Sequence, residues 1–177
     1  MYKIDILLKQ KEQLFHTNDL ALLWGLKNTN TLYTTIKRYV QKGILFRIHK
    51  GFYSVVPPAE VEPLRLGVSF LHSFAYLSCE SVLASAGVIF QEGKYFTLIA
   101  DVSRKFNVGG ADFLVRKMKD EFLYQSAGIL EESEVKTASP ERAVADMLYF
   151  QPAYHFDNPA AVDWAKVKKI QKEVGFK

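Results

Sequence analysis

What is scarce in this chain of 177 residues narrows the possibilities before any motif is read. A single cysteine, Cys79, excludes an internal disulfide and any cysteine-rich metal site. It falls in a stretch that reads as a half-buried helix, which suits packing better than nucleophilic work. The histidines His16, His49, His72 and His155 are scattered, with no two at metal-ligand spacing on one helix. Long apolar runs are missing: stretches such as Leu20–Trp24 fall far short of the roughly 20 residues that span a bilayer. No basic, apolar leader opens the chain, so the expectation is a cytoplasmic protein without a membrane partner. Phosphate-cradling loops are lacking as well. Val108-Gly109-Gly110 has neither the spacing nor the lysine that such a loop needs, and no cofactor is expected.

Acidic residues are scarce in one place in particular. Residues 1–58 hold nine lysines and arginines against three acids, a net charge of +6. The remainder holds 14 against 16, a net of −2. Positive charge gathered in one third of a chain favours a polyanionic partner, through release of condensed counterions. Charge alone also fits an ordinary solvated surface, so pattern has to decide.

Residues 2–13 read as a first helix, from Ile4, Leu7, Leu8 and Lys11 at helical spacing. Thr17 or Asn18 would cap a short second helix that faces Leu20, Leu23 and Trp24 inward and ends at Gly25. A third helix, from about Asn30 to Lys42, carries the apolar stripe Leu32, Ile36, Tyr39 and Val40. Its opposite side presents Asn30, Thr34, Lys37, Arg38 and Gln41, and no acid occurs on it. Ile44–His49 and Phe52–Val56 then read as a hairpin about Lys50-Gly51, with Arg47, His49 and Lys50 at or near its tip. Three short helices followed by a basic hairpin is the order of a winged helix-turn-helix. Such a domain would lay Asn30, Thr31 and Thr34 on base edges in the major groove of double-stranded DNA. Lys37, Arg38 and Gln41 would follow along the groove, with Arg47, His49 and Lys50 on the backbone or in the minor groove.

Three prolines within residues 57–63 read as a linker, where the charge balance also changes sign. The expected organisation is therefore a winged helix over 1–56, a linker over 57–63 and a second domain over 64–177. In that second domain Ser73–Ala86 reads as a helix stopped by Gly87, and Tyr95–Ala100 and Phe113–Arg116 as strands. Ser139-Pro140-Glu141 opens a further helix that stops before Pro152, and a lysine-rich helix spans Asp163–Glu173. The fold class is α+β, a winged helix followed by a small α/β domain.

One enzymatic arrangement stands beside this reading. Glu134-Val135-Lys136 on a strand, with Asp112 or Asp120 upstream, could hold Mg²⁺ and activate water as restriction-type nucleases do. Common residue types recur by chance, and Glu131, Glu132 and Glu134 equally resemble a solvated acidic edge, so the chain is expected not to be an enzyme. A winged helix used for protein contacts is the other alternative.

The sequence resembles the AbiEi antitoxin family of type IV toxin–antitoxin and abortive-infection systems. The likeness lies in Thr31-Leu-Tyr-Thr-Thr-Ile-Lys-Arg-Tyr-Val40 and Lys42-Gly-Ile-Leu-Phe-Arg-Ile-His-Lys-Gly-Phe-Tyr53. It continues in Tyr76-Leu-Ser-Cys-Glu-Ser-Val-Leu83, Gly87-Val-Ile and Thr137-Ala-Ser-Pro-Glu-Arg-Ala-Val-Ala-Asp146. The resemblance implies a repressor that binds inverted repeats in its own promoter, with Thr31, Thr34, Lys37 and Arg38 on the recognition helix and Arg47, His49 and Lys50 on the wing. It further implies a nucleotidyltransferase-like toxin as functional counterpart, without a stable complex. Arg142 and Asp146, four residues apart, also have a purely local reading as an ion pair on a helix surface.

Overall fold

The computed structural model describes residues 3–91, 93–131 and 134–176, and the chain is mixed α and β. It divides into two compact units, one ending at Phe70 and one starting at Leu71. Among the described residues no helix is long and apolar enough to cross a membrane.

The first unit opens with helix α1 (Lys3–Leu8), which is shorter than the periodicity suggests. Leu14–His16, beyond the helix expected over 2–13, forms strand β1, paired antiparallel with a strand about 40 residues later. Helix α2 (Thr17–Trp24) follows directly, its cap being His16 rather than Thr17 or Asn18. The Asp19 carboxylate accepts from the His16 N–H at 2.7 Å, which satisfies a donor left over at the helix start. Helix α3 (Thr29–Gln41) is capped by Asn28, whose side chain accepts from the Thr31 N–H at 3.0 Å. Strands β2 (Phe46–His49) and β3 (Phe52–Ser54) form the hairpin, and the sheet order is β1-β3-β2. Leu7, Phe15, Leu20, Trp24, Leu32, Ile36, Leu45 and Tyr53 make the core. Each such side chain contributes about 1.5–3 kcal/mol on burial.

Residues 57–63 do not act as a plain linker. A single 3-10 turn occupies Pro58–Glu60, and Pro63 begins helix α4 (Pro63–Leu71), where its missing N–H costs nothing. Ser69 and Arg65 of α4 bond back to the first unit: the Ser69 carbonyl lies 2.8 Å from His16 Nε2, and Arg65 donates to Gln13 Oε1 at 2.9 Å. These bonds carry the compact unit past the proline-rich stretch to Phe70.

The second unit is built on a six-stranded mixed sheet. Ser73–Ala86, expected as one helix, is divided into strand β4 (Ala75–Leu77) and helix α5 (Glu80–Ser85). Pairing decides this: Ala75, Tyr76 and Leu77 lie opposite Ala100, Ile99 and Leu98 of strand β5 (Phe96–Ala100). Cys79 turns the chain between the two elements with φ +52, a conformation that costs a non-glycine residue about 1–3 kcal/mol. Strands β6 (Arg104–Val108) and β7 (Ala111–Lys117) form a hairpin about Gly109-Gly110. Both glycines have positive φ, +60 and +84, so this dipeptide is a hairpin turn of the kind that matches strand twist.

After the short helix α6 (Asp120–Leu123) come strands β8 (Ile129–Leu130) and β9 (Thr137–Ala138), giving the order β6-β7-β5-β4-β9-β8. Helix α7 (Pro140–Phe150) starts as its Ser-Pro-Glu signal predicts, with Ser139 Oγ accepting from the Arg142 N–H at 3.2 Å. Helix α8 (Trp164–Val174) is capped by Asp163 and packs Val167 and Ile170 into the core beside α5 and α7.

Candidate nucleic-acid interface

The residues singled out from the sequence converge in the first unit. Asn30, Thr31, Thr34, Lys37, Arg38 and Gln41 of α3 are all exposed, as are Arg47, His49 and Lys50 of the hairpin. Their exposure follows from the stripe beneath them, since burying Leu32 and Ile36 turns the polar positions of α3 outward. Among the described residues the side chains of Lys37, Arg38, Arg47 and Lys50 enter no ion pair or hydrogen bond. Four exposed cations thus lack an internal partner among the described residues.

Two of the nine are partly committed elsewhere. Thr31 Oγ1 donates to Asn28 Oδ1 at 3.4 Å as part of the helix cap. The His49 ring packs edge-on to Phe70 with centroids 4.9 Å apart, so it reinforces the hairpin as well as standing near its tip.

Between α3 and β2 runs a groove of about 440 Å³. Ile36, Val40 and Tyr53 form its apolar lining, and Lys37, Gln41 and Arg47 bring the polar groups of both elements to one place. Tyr33 also lines it and is 52% exposed. Sequence reasoning passed over Tyr33 because it belongs neither to the buried stripe nor to the polar set. Its position one helical turn before Lys37 was the available signal.

With Asp112 as its upstream acid, the Mg²⁺ arrangement considered from the sequence is not assembled. Glu134 and Lys136 lie in irregular chain before β9 rather than on a strand, and Lys136 pairs with Glu131. Asp112, on β7, accepts from Asn107 Nδ2 at 3.0 Å and pairs with Lys94 at 3.4 Å. Those contacts, the Asn107 bond first, hold its carboxyl below the usual range. Strand β7 is separated from β9 by β5 and β4, three strand spacings or roughly 14 Å, too far for one Mg²⁺ with ligands near 2 Å. Glu132 lies outside the described residues. Among the described residues no three His, Cys, Asp or Glu side chains come together as a metal site.

The Arg142–Asp146 pair forms, but not on a surface: both side chains are 0% exposed. Arg142 Nε donates to Asp146 Oδ1 at 2.8 Å, and its other nitrogens donate to the carbonyls of Gln125 and Ala127 and to the Tyr76 hydroxyl. Ser78 Oγ and the Tyr76 hydroxyl donate to Asp146 Oδ2 at 2.7 and 3.2 Å. Burial pushes the Asp146 carboxyl up against the pull of Arg142 and these hydroxyls. Burial, with the Asp146 charge beside it, pushes the Tyr76 phenol above its ordinary range. The cluster is closed on itself and joins β4, α7 and the chain before β8, which is a structural task.

No family model and no curated protein matches the chain. Among solved structures it is similar to the crystal structure of the RV2827C protein from Mycobacterium tuberculosis, at 12% identity and a TM-score of 0.56. The match covers 96% of this chain and 69% of that one. At that identity the likeness concerns the fold alone.

Proposed function

We propose that this protein is a sequence-specific DNA-binding regulator whose first unit is a winged helix-turn-helix. The observation that carries the reading is the acid-free exposed face of α3, set beside a hairpin bearing Arg47 and Lys50, with four cations lacking partners among the described residues. In this reading α2 and α3 are the helix-turn-helix and α3 enters the major groove. Asn30, Thr31 and Thr34 lie on base edges, Lys37, Arg38 and Gln41 further along the groove, and Arg47, His49 and Lys50 on the wing. Together with the resemblance drawn from the sequence, this makes the protein the autorepressing antitoxin of a type IV toxin–antitoxin operon. Its functional counterpart is then a nucleotidyltransferase-like toxin, and the protein is not an enzyme.

The test is binding of the purified protein to a duplex from its own upstream region and to a scrambled duplex, across a salt series. Selective binding that weakens steeply with salt is the expected result. Equal binding to both duplexes would leave a non-specific DNA-binding protein. Binding to neither would point to the protein-interaction alternative.

A further inference from the structure

The groove between α3 and β2 has two properties that are hard to satisfy together. Its lining is apolar, with Ile36 and Val40 from α3 and the exposed ring of Tyr33, so a bare hydrated anion gains nothing by entering. Its charged groups are cations, Lys37 on one side and Arg47 on the other, with the Gln41 amide beside them and no acid. The occupant such a groove suits is negatively charged along one edge and apolar beside it. A sugar–phosphate strand answers that description, since each phosphate is flanked by a deoxyribose.

The docking proposed above leads to the same place. A helix in the major groove and a wing at the adjacent minor groove leave one phosphate strand between them. We propose that this strand runs through the α3–β2 groove, with Lys37 and Arg47 sharing one phosphate and Tyr33 packed on the neighbouring deoxyribose. The inference rests on the DNA-binding reading and deepens it by assigning the groove to backbone rather than to bases. Tyr33, Lys37 and Arg47 then set position and affinity, and sequence choice is left to Asn30, Thr31 and Thr34.

The experiment selects a duplex from a random-sequence pool with the full chain, then replaces its phosphates one at a time with neutral methylphosphonate. Wild type and Arg47→Ala are titrated against the whole set. At one phosphate the wild type should lose about tenfold, and Arg47→Ala, already weakened by about as much, should lose nothing further. Lys37→Ala should be silent at the same phosphate, and each variant should lower the salt slope by about 1. Tyr33→Ala should weaken selected and scrambled duplexes evenly, with Tyr33→Phe unchanged. Losses that simply add at every phosphate would overturn the groove assignment while leaving DNA binding intact. Failure to select any duplex would overturn the DNA-binding reading and this inference with it.

Discussion

Arg142 is the largest fully buried side chain of the second unit, and it is a cation. Its charge is tolerated because Asp146, Tyr76 and the backbone carbonyls of Gln125, Ala127 and Phe122 receive its donors. Removing one partner leaves a buried charge exposed to an apolar core. Arg142→Ala and Asp146→Ala should each lower stability by about 3–5 kcal/mol in urea unfolding. The double variant Arg142→Met/Asp146→Leu should cost much less than the sum, because no unpaired charge remains. Additive losses would mean that the two side chains act separately. Cys79 makes the opposite case, a reactive group rendered inert. Burial holds its thiol well above the ordinary range and shuts out reagents, so it should resist iodoacetamide at neutral pH until the protein is unfolded. Rapid labelling of the native protein would contradict that burial.

At the scale of elements, helix α3 depends on a cap that the structure assigns to Asn28. Asn28 sits three residues before Thr31, whose N–H it accepts, so Asn28→Ala should cost about 1 kcal/mol in thermal or denaturant unfolding. An unchanged midpoint would mean that water serves the helix end equally well. Gly128 is a different matter. At φ +73, a Cβ there would lie 2.7 Å from Arg142 Cβ and 2.9 Å from Ile170 Cδ1, so alanine must displace α7 or α8. Gly128→Ala should destabilise by more than the roughly 1 kcal/mol that positive φ alone costs, measured against Gly110→Ala, where the added Cβ meets nothing within 4 Å. The helices with one strong apolar stripe or a clear cap, α3 and α7, were readable to within a residue or two of their ends. Strands β1, β4 and β6 were not. Leu14–His16 and Ala75–Leu77 take helical company in the sequence, and pairing with Phe52–Ser54 for the one and with Leu98–Ala100 and Thr137 for the other holds them extended.

For the whole molecule, the point at which the first unit ends decides which fragments stand alone. The proline-rich stretch suggests a cut at residue 56, yet the bonds from Arg65 and Ser69 and the packing of Phe70 on Phe52 and His49 carry the unit further. A fragment ending at Leu71 should therefore unfold cooperatively at a higher temperature than one ending at Val56, as judged by circular dichroism. Equal transitions would show that α4 adds nothing to the first unit. The charge contrast between residues 1–58 and the remainder belongs to this scale too, since under the DNA-binding reading it would draw the polyanion to that third of the chain before a single contact is made.

By itself the sequence determined what depends on near neighbours: the stripe and acid-free face of α3, the cap at Ser139, the hairpin about Gly51, and the excess of positive charge in residues 1–58. Helical periodicity, capping and turn geometry involve residues within about four positions of one another, so they can be read along the chain. Only the tertiary structure decided that Arg142 and Asp146 are sealed inside, that Glu134 and Asp112 stay apart, and that Tyr33 shares a groove with Arg47. Each of those outcomes depends on which distant segments meet. Strand pairing and core packing settle that through contacts 14 to 70 residues apart in the chain, and no local pattern records it.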